Sequence, residues 1–146
     1  MSRVLGDQAA AHTPLRLVDK AALAAEVILA YIRVRRLTSR TSLPAVLQAL
    51  RGTPSARVPC ESTDPVQVGR RLGRVTARTL SVIPGNTRCL HRSLTLTALL
   101  ARRGLESSLV IAVRPGETFG AHAWLEHLGE PLLPPADAGY ETLVSL

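Results

Sequence analysis

The stretch from residue 84 to 104 constrains the fold of this chain more than any other. Pro84-Gly85-Asn86 reads as a turn, Thr87 as a helix N-cap, and residues 89–103 as an apolar helix stopped by Gly104. Beyond Gly104 the periodicity changes from helical to extended. Residues 107–113 form a nearly continuous apolar run, as expected for a strand buried on both faces. Arg114-Pro115-Gly116-Glu117 turns the chain, and residues 119–126 return as a second strand. Residues 127–130, with Gly129, make a tight turn into a short third strand at 131–133. The last residues, with Tyr140 and Leu143, are expected to pack back as a tail.

The half before this stretch is helical. Residues 15–37 predict a long helix in which 21–32 is almost uniformly apolar. That run is too short to span a membrane, contains Glu26, and is followed by Arg33, Arg35 and Arg36. Ser42 caps a short helix with Pro44 in its first turn and Gly52 at its end. Residues 53–63, with Pro54, Pro59 and Cys60, are the most linker-like of the chain. Asp64-Pro65 opens a third helix as N-cap and first-turn proline, with Val68, Leu72 and Val75 at helical spacing. Gly69 and Gly73 weaken that helix but leave room for another backbone to approach. Residues 1–13 read as a frayed tail. The expected fold is α+β: one domain over 1–146, with a helical lead-in and linker (1–63) before a core (64–146) that packs a Cys-bearing helix on a small antiparallel sheet.

Composition narrows the function. A chain of 146 residues, 46% hydrophobic and 20% charged, can bury a core without disulfide staples. The net charge of +7 is carried almost wholly by arginine. These arginines are dispersed along helices without an aromatic–basic ladder or groove-reading motif, which argues against nucleic acid and suits an acidic peptide or protein. Cys60 and Cys89 form neither a disulfide framework nor a zinc pair, and no signal peptide opens the chain. A cytoplasmic compartment, with Cys89 a free thiol, is therefore expected. Nothing implies a metal or other cofactor.

The chemistry concentrates on two residues. Cys89 falls in the first turn of its helix, where the positive end of the helix dipole, Arg88 and Arg92 all stabilise negative charge on sulfur. On the second strand His122, Trp124 and Glu126 share one face and Ala121, Ala123 and Leu125 the other. A cysteine at a helix start and a histidine on a later strand form the cysteine-peptidase and transglutaminase arrangement when the fold joins them. The other histidines fit less well. His91 lies two residues past Cys89 on the same helix, about 200° around it, His127 sits at the turn, and His12 lies in the tail. Cys60 has no helix start, histidine or strand to support it. The backbone N–H of Cys89 and a donor from the preceding turn, Asn86 or Thr87, are candidates for an oxyanion hole.

The segments Arg88-Cys89-Leu90-His91-Arg92-Ser93-Leu94, Leu99-Leu100-Ala101-Arg102-Arg103-Gly104-Leu105, Leu109-Val110-Ile111-Ala112-Val113 and Ala121-His122-Ala123-Trp124-Leu125-Glu126 together resemble the transglutaminase-like leader peptidases of lasso-peptide biosynthesis. The resemblance covers about residues 80–143. It implies a cysteine peptidase that cuts a ribosomally made precursor between leader and core, with Cys89 as nucleophile and His122 as base. It also implies an acid about a dozen residues beyond the histidine; here that place falls at Leu133-Pro134. Asp137 is the first choice in its stead and Glu126 the alternative, with an unassisted dyad left open. The partners implied are the precursor peptide, a lasso cyclase, and a leader-recognition protein of winged-helix type. The last is expected as a separate chain, because the residues before the Cys helix show no strand pattern. The apolar 21–32 run and the arginines offer it a docking face. Two other readings stand beside this one: an acyltransferase of the same fold, and a catalytically silent binding module.

Overall fold

A computed structural model describes residues 17–52, 64–84, 89–116 and 118–146. Four helices precede a four-stranded sheet: α1 Leu17–Thr38, α2 Leu43–Arg51, α3 Pro65–Ser81, α4 Cys89–Arg102, β1 Ser108–Arg114, β2 Gly120–His127, β3 Glu130–Pro131 and β4 Glu141–Ser145. The architecture is α+β, helical first and sheet second, as the switch of periodicity at Gly104 predicts.

The helix signals work locally. Asp64 Oδ1 accepts from the N–H groups of Val66 (3.0 Å) and Gln67 (3.3 Å), so α3 starts at Pro65 with its first orphan donors satisfied. Ser42 holds an extended N-cap conformation before α2, although its hydroxyl makes no capping bond, and Gly52 N–H closes the far end on Gln48 O. Gly104 adopts φ +70° just past α4, as a C-terminal glycine should.

The core is built around α4. Its residues from Ser93 to Leu100 are all buried, and α1, α2, α3 and β2 each pack against it. A helix surrounded on all sides must be apolar all round or must satisfy its own polar groups. Here Thr95 donates to His91 O (2.7 Å) and Thr97 to Ser93 O (3.0 Å), returning their hydroxyls to the helix backbone. Leu94, Leu96, Leu99 and Leu100 are at most 1% exposed, and with Leu109 and Leu125 of the sheet they make up much of the interior. At the other end of α4, Glu26 of α1 binds Arg102 (3.1 Å) and Arg103 (3.0 Å). The single acid of the apolar 21–32 run is thus half-buried between two guanidinium groups.

The sheet is antiparallel, in the order β3-β2-β1-β4. Leu128 (φ 53°) and Gly129 (φ 79°) make a two-residue turn between β2 and β3, with both central residues in the left-handed region that such a hairpin requires. The chain end departs from the expected tail. Residues 141–145 form β4 and pair with β1 through a register shift at Ile111/Ala112, and the ladder continues with Leu109 N–H to Leu146 O at 2.7 Å. The buried β1 has a row of backbone groups on each side, and only a second neighbouring strand satisfies the outer row. Tyr140 leads into β4 from a seat against Gly120, where its hydroxyl lies 2.6 Å from the position a Cβ would take, while Leu143 remains exposed. The third strand is also shorter than expected, ending in ladder terms at Pro131, with Leu132 N–H adding one bond to Leu125 O (2.8 Å).

Candidate active site

The site begins at the first described residue of α4. Cys89 is half-buried against the core; its preceding turn, with the cap Thr87, the oxyanion candidate Asn86 and Arg88, lies outside the described residues, as do Cys60 and His12. One turn on, Ser93 is wholly buried, and its hydroxyl donates to the carbonyl of Ala123 in β2 at 3.2 Å. This bond has a structural cause. Leu125 O points toward β3, and Ala123 O, two residues back, points the same way. But β3 has ended there, so Ala123 O would be an orphan acceptor without Ser93. Residues four apart lie on one helix face. Cys89 therefore sits one turn, about 6 Å along the axis, from a contact whose other partner adjoins His122.

His122 is half-buried in the interior of β2, opposite Ala112 of β1. Its ring stacks on that of Trp124 with centroids 6.0 Å apart and planes 24° apart. Its Nε2 lies 2.9 Å from the backbone carbonyl of Pro134. A carbonyl only accepts, so a hydrogen bond there requires Nε2 to carry the proton. In a neutral ring the Nδ1 lone pair is then the one available as a base.

The segment bearing Pro134 is clamped by α3. A Cβ on Gly73 would lie 2.3 Å from Leu132 O, and one on Gly69 would lie 2.8 Å from the Leu132 side-chain methyls. Gly73 thus serves the close backbone approach that the glycine spacing suggests, while Gly69 makes room for the Leu132 side chain. Arg70 adds two bonds to the same segment, Nε to Pro131 O (3.4 Å) and Nη2 to Glu130 Oε2 (2.8 Å). Leu132 and Leu133 are buried beside it.

The remaining candidates are placed elsewhere. His91 faces α1, its ring edge-on to Tyr31 (6.3 Å between centroids) and its Nε2 3.4 Å from Thr38 Oγ1, in keeping with its position around the helix. His127 ends β2 with Nδ1 2.6 Å from Glu106 O, a tie between the hairpin and the loop after α4. Glu126 accepts from Trp124 Nε1 at 2.9 Å. Asp137 is exposed, and its backbone carbonyl accepts from Tyr140 N–H at 3.4 Å in a turn. Among the described residues the hydrogen-bond partner of His122 is thus a main-chain carbonyl twelve positions along the chain. That is the place where the resemblance calls for an acid. Ser93 and Pro134 carry no side-chain signal for these roles in the sequence, whereas the Gly69/Gly73 pair does.

A buried helix starting at a cysteine, latched to a strand whose histidine is oriented through one ring nitrogen, has the parts of an acyl-transfer site. The family model for the transglutaminase-like superfamily (Transglut_core3) matches residues 22–145, which include most of α1 and all of α2 as well as the site. The chain belongs to the transglutaminase-like superfamily. Cysteine peptidases and acyltransferases are both found in this superfamily. No curated protein and no solved structure gives a significant match. Among the described residues of this superfamily member, no helix is long and apolar enough to cross a membrane, and no cluster of three His, Cys, Asp or Glu side chains is placed to hold a metal ion.

Proposed function

We propose that this superfamily member is a cysteine peptidase that removes the leader from a ribosomally synthesised lasso-peptide precursor, with Cys89 as nucleophile and His122 as base. The observation that carries the chemistry is the pairing of the Ser93–Ala123 latch with the Pro134 carbonyl on His122 Nε2. The latch sets the Cys89 end of α4 against β2, and the carbonyl leaves Nδ1 as the proton acceptor. Cys89 Sγ attacks the scissile carbonyl carbon while its proton passes to Nδ1. The tetrahedral intermediate collapses to a thioester as Nδ1–H returns the proton to the leaving amine. Water, deprotonated at the same nitrogen, then hydrolyses the thioester and frees the thiol. The N-terminal amides of α4, beginning with that of Cys89, are the donors proposed for the oxyanion.

The choice of substrate rests on the resemblance of the 88–126 motifs to lasso leader peptidases. From it follow a separate winged-helix protein that presents the leader and a cyclase that takes the freed core; the cysteine usage adds a cytoplasmic setting. Tethering by the leader-binding protein raises the local concentration of the scissile bond.

The test is cleavage of a leader-bearing precursor with and without the leader-binding protein, followed by mass spectrometry. Free leader and free core are expected, with the rate rising by orders of magnitude when the binding protein is present. Cys89→Ala should abolish cleavage, and product linked to an added amine would make the protein an acyltransferase instead. Cleavage by purified Cys89→Ala would overturn the reading altogether.

A further inference from the structure

α1 is apolar on two opposite faces, and the fold covers only one of them. Val27, Tyr31 and Val34 are buried against the rest of the molecule. On the outer side Val18 is 75% exposed, Leu29 68%, Ile32 41% and Ile28 40%. With Ala25 as centre, Val18, Ala21, Ala22, Ile28, Leu29 and Ile32 all fall within about 60° around the helix, and Val27 and Val34 lie about 160–180° away. The outer stripe runs for about 21 Å. A helix apolar all round calls for cover on both faces, and a continuous exposed apolar stripe marks an interaction surface.

The order of residues along the stripe identifies what covers it. Large side chains stand at one end (Ile28, Leu29, Ile32), alanines occupy the middle, and Val18 closes the other end. We infer that the outer face of α1, expected from the sequence to receive a leader-binding protein, is instead a twofold dimer interface, in which α1 of a second copy packs antiparallel about Ala25. An isologous contact sets each residue against its mate across the axis. Ala25 then meets Ala25 on the axis, Ala21 lies beside Ile28 on one flank, Ala22 beside Leu29 on the other, and Val18 meets Ile32. Apart from the Ala25 pair on the axis, each alanine of the stripe receives a large residue, which is the interdigitation that close packing requires.

Charge selects the same direction. Arg33, Arg35 and Arg36 are exposed at the C-terminal end of the stripe, and Asp19 is exposed near its start. An antiparallel pair keeps the two arginine clusters apart and brings Asp19 of one copy level with Arg33 of the other, on the same flank. A parallel pair would stack arginine on arginine and alanine on alanine. A contact limited to one helix from each copy lies at the small end of interfaces, so a weak dimer is expected, with Kd on the order of 10 μM. This inference stands whether or not the peptidase reading holds.

The experiment uses the full chain with Cys60→Ser and Cys89→Ala, studied by sedimentation velocity from about 1 to 500 μM, a range that brackets the expected constant. A concentration-dependent monomer–dimer equilibrium is expected, and Leu29→Glu should remove it while leaving the circular dichroism spectrum unchanged. Ala25→Cys in this background should form an intermolecular disulfide on oxidation. Ala22→Cys should not, because its mates would be about 9 Å apart along the axis. A monomer throughout the range would overturn the inference, as would a dimer indifferent to Leu29→Glu or equal crosslinking at both positions. A monomer that instead binds phosphatidylglycerol vesicles, and loses that binding on Leu29→Glu, would assign the stripe to a membrane surface and equally overturn it.

Discussion

Gly73→Ala is the most informative single change, because it tests the clamp that positions the Pro134 carbonyl. The added methyl would meet Leu132 O at 2.3 Å. An unstrained carbon–oxygen contact needs about 3.2–3.4 Å, so α3 and the Leu132 backbone must separate by about 1 Å. Neither side yields cheaply: α3 packs on α4, and Leu132 N–H is bonded to β2. Overpacking of this kind costs about 1–3 kcal/mol, against which alanine recovers about 1 kcal/mol of helix propensity over glycine. The net is a loss of about 0–2 kcal/mol, or up to roughly 8 °C in Tm for a domain of this size. Pro134 lies two residues past the displaced carbonyl, so the 2.9 Å bond to His122 should lengthen or break. Gly69→Ala is the matched control. It meets the Leu132 side chain, with both methyls at 2.8 Å, and not the Leu132 backbone, so the carbonyl is not displaced and the loss in Tm should be smaller than for Gly73→Ala. Thermal unfolding by circular dichroism measures the first effect, and long-range 1H–15N NMR of the His122 ring the second. The wild-type ring in its neutral form should show the Nε2–H tautomer and Gly73→Ala a mixture. A Gly73→Ala protein as stable as Gly69→Ala, with an unchanged His122 spectrum, would refute the clamp.

His122→Ala should be as damaging to leader cleavage as Cys89→Ala, because members of one catalytic unit are not additive, while His91→Ala with its fold preserved should retain activity. Asp137→Ala is expected within a few-fold of wild type, since a main-chain carbonyl orients His122; a loss of ~10²-fold or more in kcat would return the role to the acid. Glu126→Ala should also spare the chemistry, at a cost of about 1 kcal/mol in stability for the lost Trp124 bond, read by denaturant unfolding. Glu26→Ala leaves Arg102 and Arg103 without their shared carboxylate, and should destabilise by about 2–3 kcal/mol, below the range for a fully buried pair because Arg102 is part-solvated.

Much of the fold was legible because its signals are local. Asp64-Pro65 and Gly52 mark helix ends through backbone groups within a few residues of themselves, and the alternation of residues 120–126 sorts one strand face from the other without reference to any neighbour. The departures lie where a partner distant in sequence decides. Residues 141–145 resemble a tail in isolation and become a strand because β1 presents an unpaired row of backbone groups.

For the candidate site the division is the same. The sequence alone determined the two candidate side chains, their elements, and the pair of glycines that admits a close neighbour: each is a matter of residue type and spacing. Only the tertiary structure decided what holds them. The place beyond His122 where an acid was expected offers Leu133 and Pro134, and the group that answers is a carbonyl every residue possesses. Ser93 likewise could be any helix serine until β3 ends early and leaves Ala123 O without a partner. Backbone acceptors are uniform along the chain, so no residue letter records which one a fold will aim at an imidazole. That is settled by Gly73 seating Leu132 against α3, in three dimensions.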